Sequence, residues 1–219
     1  MKNIKIISII CCALIVLCSF FVIYLGTTNK KQEIVVSGII PHKSETEMYL
    51  DSDIIIKGTV KSIKESKWSN ENFERGKHIR NILQTDIVVS VEEVLKGTIS
   101  SKNVVVRIDK GEDKKTIVRS DEYPDFDIGE ETVLFLSRDD GDLATEEDYY
   151  VLTGMKQGKY KLKQGSADKN IYFNEENEIN IKDISGKIKE LEEKYPDYRK
   201  IKDEKQKEIA ERNKRLFGE

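Results

Sequence analysis

Beyond residue 18 the chain has no cysteine. Its three thiols, Cys11, Cys12 and Cys18, all fall in one apolar stretch near the start. Whatever folds downstream therefore has neither a disulfide nor a thiolate metal site and must be held by its core alone. Histidine is almost as scarce. His42 and His78 are the only two, which excludes a histidine-rich metal centre, and both read as exposed side chains in polar surroundings. Motifs of common chemistry are missing as well: no G-x-S-x-G, no P-loop, no G-x-G-x-x-G and no H-E-x-x-H. The sequence thus names no catalytic residue, no metal ligand and no cofactor, and the expectation is a protein that is not an enzyme.

Charge is plentiful but unevenly placed. The whole chain has a formal net charge of −3, yet residues 44–181 hold 20 basic and 29 acidic residues, a net of −9. A domain that acidic repels phosphate backbones, which argues against nucleic acid as a partner.

Residues 6–25 carry no charge at all. Twenty helical residues rise about 30 Å, the thickness of a bilayer's hydrocarbon. Lys2 and Lys5 precede the run, and Lys30 and Lys31 follow it; a small leading tail and a large following domain favour the N-in, C-out arrangement. Residues 1–26 therefore read as a cytoplasmic tail and a retained transmembrane anchor. Two alternatives stay open. A cleaved signal peptide has a shorter apolar region and a small-x-small site, and here, in Tyr24-Leu25-Gly26, Tyr24 stands where a small residue is wanted. A lipoprotein signal wants a small residue before its cysteine, whereas Ile10, Cys11 and Leu17 precede the three candidates.

Residues 27–43 read as a linker. Ser44 and Glu47 then fit a capping box, so a helix of about two turns is expected from there. Segments rich in β-branched residues follow. Residues 54–63 form a strand candidate with Gly58 marking a bulge or bend. In 86–95 the residues Ile87, Val89 and Val91 alternate to one side, and in 104–108 so do Val104, Val106 and Ile108. Residues 132–137 are apolar throughout, as in a strand covered on both faces. Shorter candidates lie at 149–153, 160–162 and 171–173. Five to seven short strands separated by turn signals predict a mainly β domain over 44–174, an antiparallel barrel or sandwich. Residues 65–80, with the only tryptophan, Trp68, read as a long polar excursion. In 175–219 the period changes: Ile181, Ile184, Ile188, Leu191 and Tyr195 make a helical stripe that Asn180 or Asp183 could cap and Pro196 ends. The charged tail beyond it reads as a solvated helix or a frayed end.

The ordered series SDIIIKGTVKSI, TDIVVSVEEVLKG, VVVRI and FDIGEETVLFLS resembles the OB-fold-like module of tissue inhibitors of metalloproteinases and netrin-type domains. It is more similar still to uncharacterised membrane-anchored extracytoplasmic proteins of Gram-positive bacteria, which close the layout with Q-G-K-[YF], here residues 157–160. The resemblance spans residues 50–173 and implies an OB-like barrel. It implies no activity, because those inhibitors chelate zinc through an N-terminal cysteine that this domain lacks.

Three groups of side chains remain to be weighed. Carboxylate pairs occur at Glu92-Glu93, Glu130-Glu131 and Glu146-Glu147-Asp148; two carboxylates at a fixed separation could cut a glycosidic bond, but among 40 acidic residues pairs arise without purpose. The acidic run at 139–148 has oxygen ligands for calcium without the spacing of an EF-hand and reads as a solvated loop. Trp68, Tyr123, Phe126, Tyr149 and Tyr150 are the aromatics that an OB-type strand face or its loops would offer a ligand; Trp68 either contacts a ligand or pins its own loop, and Tyr123 and Phe126 suit hairpin packing. The expectation is a membrane-tethered extracytoplasmic binding or scaffold module of the cell envelope, with an envelope protein or a wall polymer as partner. An envelope hydrolase acting through a carboxylate pair, or a regulator or inhibitor of an extracellular enzyme, is the alternative.

Overall fold

The computed structural model describes residues 31–38, 42–70, 81–139, 145, 147–163, 165 and 168–217. The charge-free run at 6–25, His78 and most of the acidic run at 139–148 lie outside the described residues. Among the described residues no helix is long and apolar enough to cross a membrane.

The chain opens with strand β1 (Gln32–Val36), where the linker was expected; its β-branched Ile34, Val35 and Val36 pair in parallel with a later strand, β7 (Thr116–Ser120). The capping box then forms as its residues dictate. Ser44 Oγ accepts from the Glu47 amide while the Glu47 carboxylate accepts from the Ser44 amide, and helix α1 (Glu45–Asp51) follows.

Five strands close a barrel. They are β2 (Ile54–Ile63), β4 (Leu83–Lys96), β5 (Asn103–Ile108), β8 (Glu131–Ser137) and β9 (Tyr150–Leu152). Around the ring the order is β2, β4, β5, β9, β8 and back to β2. Four of the five junctions are antiparallel, but β5 and β9 run parallel, with Val106 opposite Tyr150. The expected all-antiparallel barrel is thereby corrected to a mixed one. The reason is parity: directions that alternate around a ring of five strands cannot match at the seam, so at least one neighbouring pair must be parallel. The two-residue strand β3 (Lys67–Trp68) adds to the start of β4 outside the ring.

Gly58 sits where β2 crosses β4 with irregular register. A Cβ there would lie 2.4 Å from the Ser90 carbonyl, so only glycine permits the approach. Alternation falls as the sequence indicates. Ile87, Val89, Val104, Val106 and Ile108 fill the barrel with Ile54, Ile56, Val60, Leu134 and Leu136. The opposite faces of β2 and β8, through Ile55, Val133 and Phe135, feed a second core. That core lies beneath α1 and α2 (Ile181–Lys194), whose Ile184, Ile188 and Leu191 are buried in it. Asn180 caps α2, and the turn at Pro196 separates it from α3 (Tyr198–Phe217).

Two appendages flank the barrel. A three-stranded sheet orders β1, β7 and β6 (Gly111–Glu112). In the second, β8 continues into β10 (Lys159–Leu162), β11 (Ile171–Phe173) and β12 (Glu178–Asn180). A 3₁₀ turn, Met155–Gly158, carries the chain from β9 at one end of β8 to β10 at the other.

Candidate binding groove

The carboxylate pairs are dispersed into ion pairs. Glu130 immediately precedes β8 and Glu131 opens it, and their carboxylates go to different partners. Glu130 accepts from Lys159 at 2.5 Å and pairs with Lys161 at 3.1 Å, whereas Glu131 accepts from Tyr172 and pairs with Lys57 at 3.0 Å. Lys57 also reaches Glu92 at 3.3 Å, so the structure brings Glu92 to Glu131 across a lysine and leaves Glu93 outside the cluster. Glu147 pairs with Arg107 at 2.5 Å and Asp148 with Arg138 at 2.6 Å; Glu146 lies outside the described residues. Every described carboxylate that departs from its ordinary pKa is held low. For Glu130, burial pushes upward, and the hydrogen bond and charge of Lys159 more than offset it. Among the described residues no group of three or more ligating side chains could hold a metal ion. His42 is exposed, with Nδ1 2.8 Å from the Gln157 side-chain amide.

The aromatics singled out from sequence face inward or are already engaged. Phe126, Tyr149 and Tyr150 are buried. Phe126 lies under the Lys159 ammonium, and Tyr149 under the Arg107 guanidinium at 4.0 Å. Arg107 also donates a bidentate pair of hydrogen bonds to the Asp86 carboxylate, at 2.8 and 3.1 Å, so at this pair the outer side of β4 and β5 is closed by internal charge pairing. Trp68 is half-buried and its indole N–H donates to Asp113 at 2.9 Å; it pins its loop to the turn between β6 and β7. Tyr123 is half-buried against the barrel core and donates to Asp109.

Residues 157–160 explain themselves one by one. The Gln157 amide is buried and ties residues 42–43 to Glu176. A Cβ on Gly158 would meet the Thr153 carbonyl at 2.5 Å. Lys159, with 1% of its side chain exposed, bonds Glu130 and the Asp125 carbonyl. Tyr160 packs on Phe135 in the second core. The Glu130–Lys159 pair therefore links two segments of the sequence resemblance, and its purpose is structural.

An open surface lies elsewhere. Between the β6–β7 hairpin and the β10–β11 hairpin runs a groove of about 1020 Å³. Alternation builds one wall: Tyr160 and Tyr172 turn inward, so Lys161 and Phe173, partners in register, turn out beside each other. Phe173 keeps 39% of its surface exposed. Lys156, paired at 3.2 Å with the exposed Glu175, stands at the same rim. Arg119, on β7, faces them and bonds the exposed Glu33 at 2.5 Å. On the floor Lys110 donates to the Tyr123 carbonyl and to Asp125, at 2.8 and 2.6 Å, and this bond holds the Asp125 carboxyl below its usual range. Exposed pairs of this kind are worth about 0–1 kcal/mol each, so an arriving ligand can exchange them at small cost.

Sequence reasoning did not gather these residues. Lys110, Arg119, Lys156, Lys161 and Phe173 come from separate strands and turns, and no local spacing joins them. The one legible sign was Phe173 itself, which must face away from the core if Tyr172 faces it. No family model matches this chain, and no curated protein matches it.

Proposed function

We propose that this protein is a non-enzymatic binding module of the cell envelope, tethered to the membrane by residues 6–25, with its barrel on the outer side. The ring order supports an OB-type barrel. Numbered along the chain, its five strands run 1-2-3-5-4 with the third and fifth parallel. That connectivity agrees with the sequence resemblance to inhibitor- and netrin-type modules and to anchored Gram-positive proteins. The uncharged run supports the tether.

The groove is the observation that carries a binding role. It joins an exposed Phe173 to Lys156, Lys161 and Arg119, cations whose present partners are themselves exposed or shared. Such a surface suits an extended, partly anionic segment of a wall polymer or an envelope protein, laid between two hairpins. A hydrolase would need a carboxyl kept protonated near neutral pH, and the described carboxylates that depart from their ordinary pKa are held low instead.

Full-length protein in detergent, mixed with isolated cell-wall polymer and separately with solubilised envelope proteins, tests the reading. One of the two is expected to be retained without turnover. The pair F173A and K161A is expected to weaken retention about tenfold while the melting temperature stays within a few degrees. Retention that ignores both substitutions, or wall polymer that is cleaved, would defeat it.

A further inference from the structure

The three-stranded sheet ends in an open border. In its order β1, β7, β6, strand β1 is outermost, and no strand among the described residues pairs its other side. The Gln32 amide donates to the Lys115 carbonyl of the β7 side at 2.7 Å. Successive residues of a paired strand turn their main-chain groups to alternate sides. Gln32, Ile34 and Val36 therefore address β7, and the amides and carbonyls of Glu33 and Val35 point outward.

Edge strands are ordinarily blunted by lysine, proline or a bulge. β1 has no lysine and no proline, and its register with β7 runs without a shift. Val35 is 65% exposed and Val36 44%. Its one charge, Glu33, is answered within the chain by Arg119 at 2.5 Å, and Lys31, just before the strand, pairs with Glu112 at 3.4 Å. Turned antiparallel about Ile34, this border complements itself. Glu33 then falls opposite Val35 of a second copy, so each outward amide meets an outward carbonyl. Ile34 lies opposite Ile34, Gln32 opposite Val36 and Lys31 opposite Ser37, so no charge faces its like.

We propose that β1 pairs antiparallel with β1 of a second copy in the same bilayer, joining two three-stranded sheets into one. Only residues 26–31 separate β1 from the uncharged run, at most about 20 Å of chain. Copies related by a two-fold along the bilayer normal therefore present this border at the same height, a match that identical tethers supply. Five residues a side fall short of the roughly 20–30 that a stable interface in solution engages. Confinement to one membrane raises the effective concentration instead, so the pairing rests on the tether proposed above.

The test uses the full-length chain with C11A/C12A/C18A, reconstituted into neutral-lipid vesicles, carrying I34C or Q32C and then oxidised. Across a non-hydrogen-bonded antiparallel pair the Cα atoms lie about 4.5 Å apart, within disulfide reach. I34C is therefore expected to cross-link into a dimer. Q32C, on the same side of the strand but four residues from its own copy across the two-fold, is not. Adding V35P removes an outward amide and no bond to β7, and is expected to cut the I34C cross-link about tenfold while the melting temperature stays within a few degrees. Vesicle-bound protein that gives no I34C dimer overturns the pairing alone. So does cross-linking of Q32C as strong as that of I34C, which would mark chance collision, or indifference to V35P. Protein that does not float with the vesicles overturns the tether, and the pairing with it.

Discussion

Lys159 shows how much one buried charge depends on its surroundings. Its ammonium bonds the Glu130 carboxylate and a backbone carbonyl above the ring of Phe126. Burial lowers its pKa, against the pull of Glu130. Replacing it with methionine leaves Glu130 in a half-buried site with only Lys161 to answer it, an expected loss of about 3–5 kcal/mol in urea unfolding. The double variant K159M/E130L should lose less than the sum of the two single changes, because each single change strands a charge. Asp51 makes a different case. Burial pushes its carboxyl upward, but Lys43 at 2.5 Å and Lys202 at 2.9 Å more than offset this, so its folded pKa lies below the unfolded value of 3.8. Its contribution is therefore complete above that value and is lost as the pH falls through the lower folded one. Melting temperatures followed from neutral pH to about pH 3 should drop in the acid limb, and D51N should flatten that limb. The order of the sequence segments was legible, but the reason for Lys159 was not, since Glu130 stands 29 residues away.

At the scale of elements, periodicity carried most of what could be foreseen. The capped helix at Ser44, the alternation of 86–95 and 104–108, the doubly covered strand at 132–137 and the stripe of α2 all follow from residue spacing. The pieces that escaped are too short to show a period. β6 has two residues, and β1 has five exposed or half-exposed ones that take their conformation from β7. Strand direction escaped as well, because nothing in the residues of β9 reports whether β5 will run with it or against it. Gly58 is the element-level position that tolerates least. Valine there would press a side chain into the Ser90 carbonyl and the Val89 methyls. The expected cost is about 1–3 kcal/mol by denaturant unfolding, from spreading two strands at their irregular crossing.

The whole molecule joins an acidic barrel domain to a basic terminal helix and to the uncharged run at 6–25. The docked start of α3 reflects that contrast. Arg199 reaches Asp53 at 3.0 Å, Lys202 reaches Asp51, and the Tyr198 hydroxyl donates to Asp51 at 3.1 Å. If residues 6–25 are held in lipid, the protein should pellet with membranes after alkaline carbonate washing and be lost from them only in detergent. Its barrel should be digested when protease is added to intact wall-less cells. Recovery in the wash, or digestion only after lysis, would remove the tether.

The parallel seam has a consequence for biogenesis. A strand of three residues, β9, completes the ring by touching both β5 and β8. The polypeptide is synthesised from its N-terminus, so residues 54–137 emerge first, as an open ribbon with two raw borders. Until residue 152 is released, that ribbon can recruit another nascent copy or a chaperone in place of its own last strand. The vulnerable moment in this protein's life thus precedes its first complete fold.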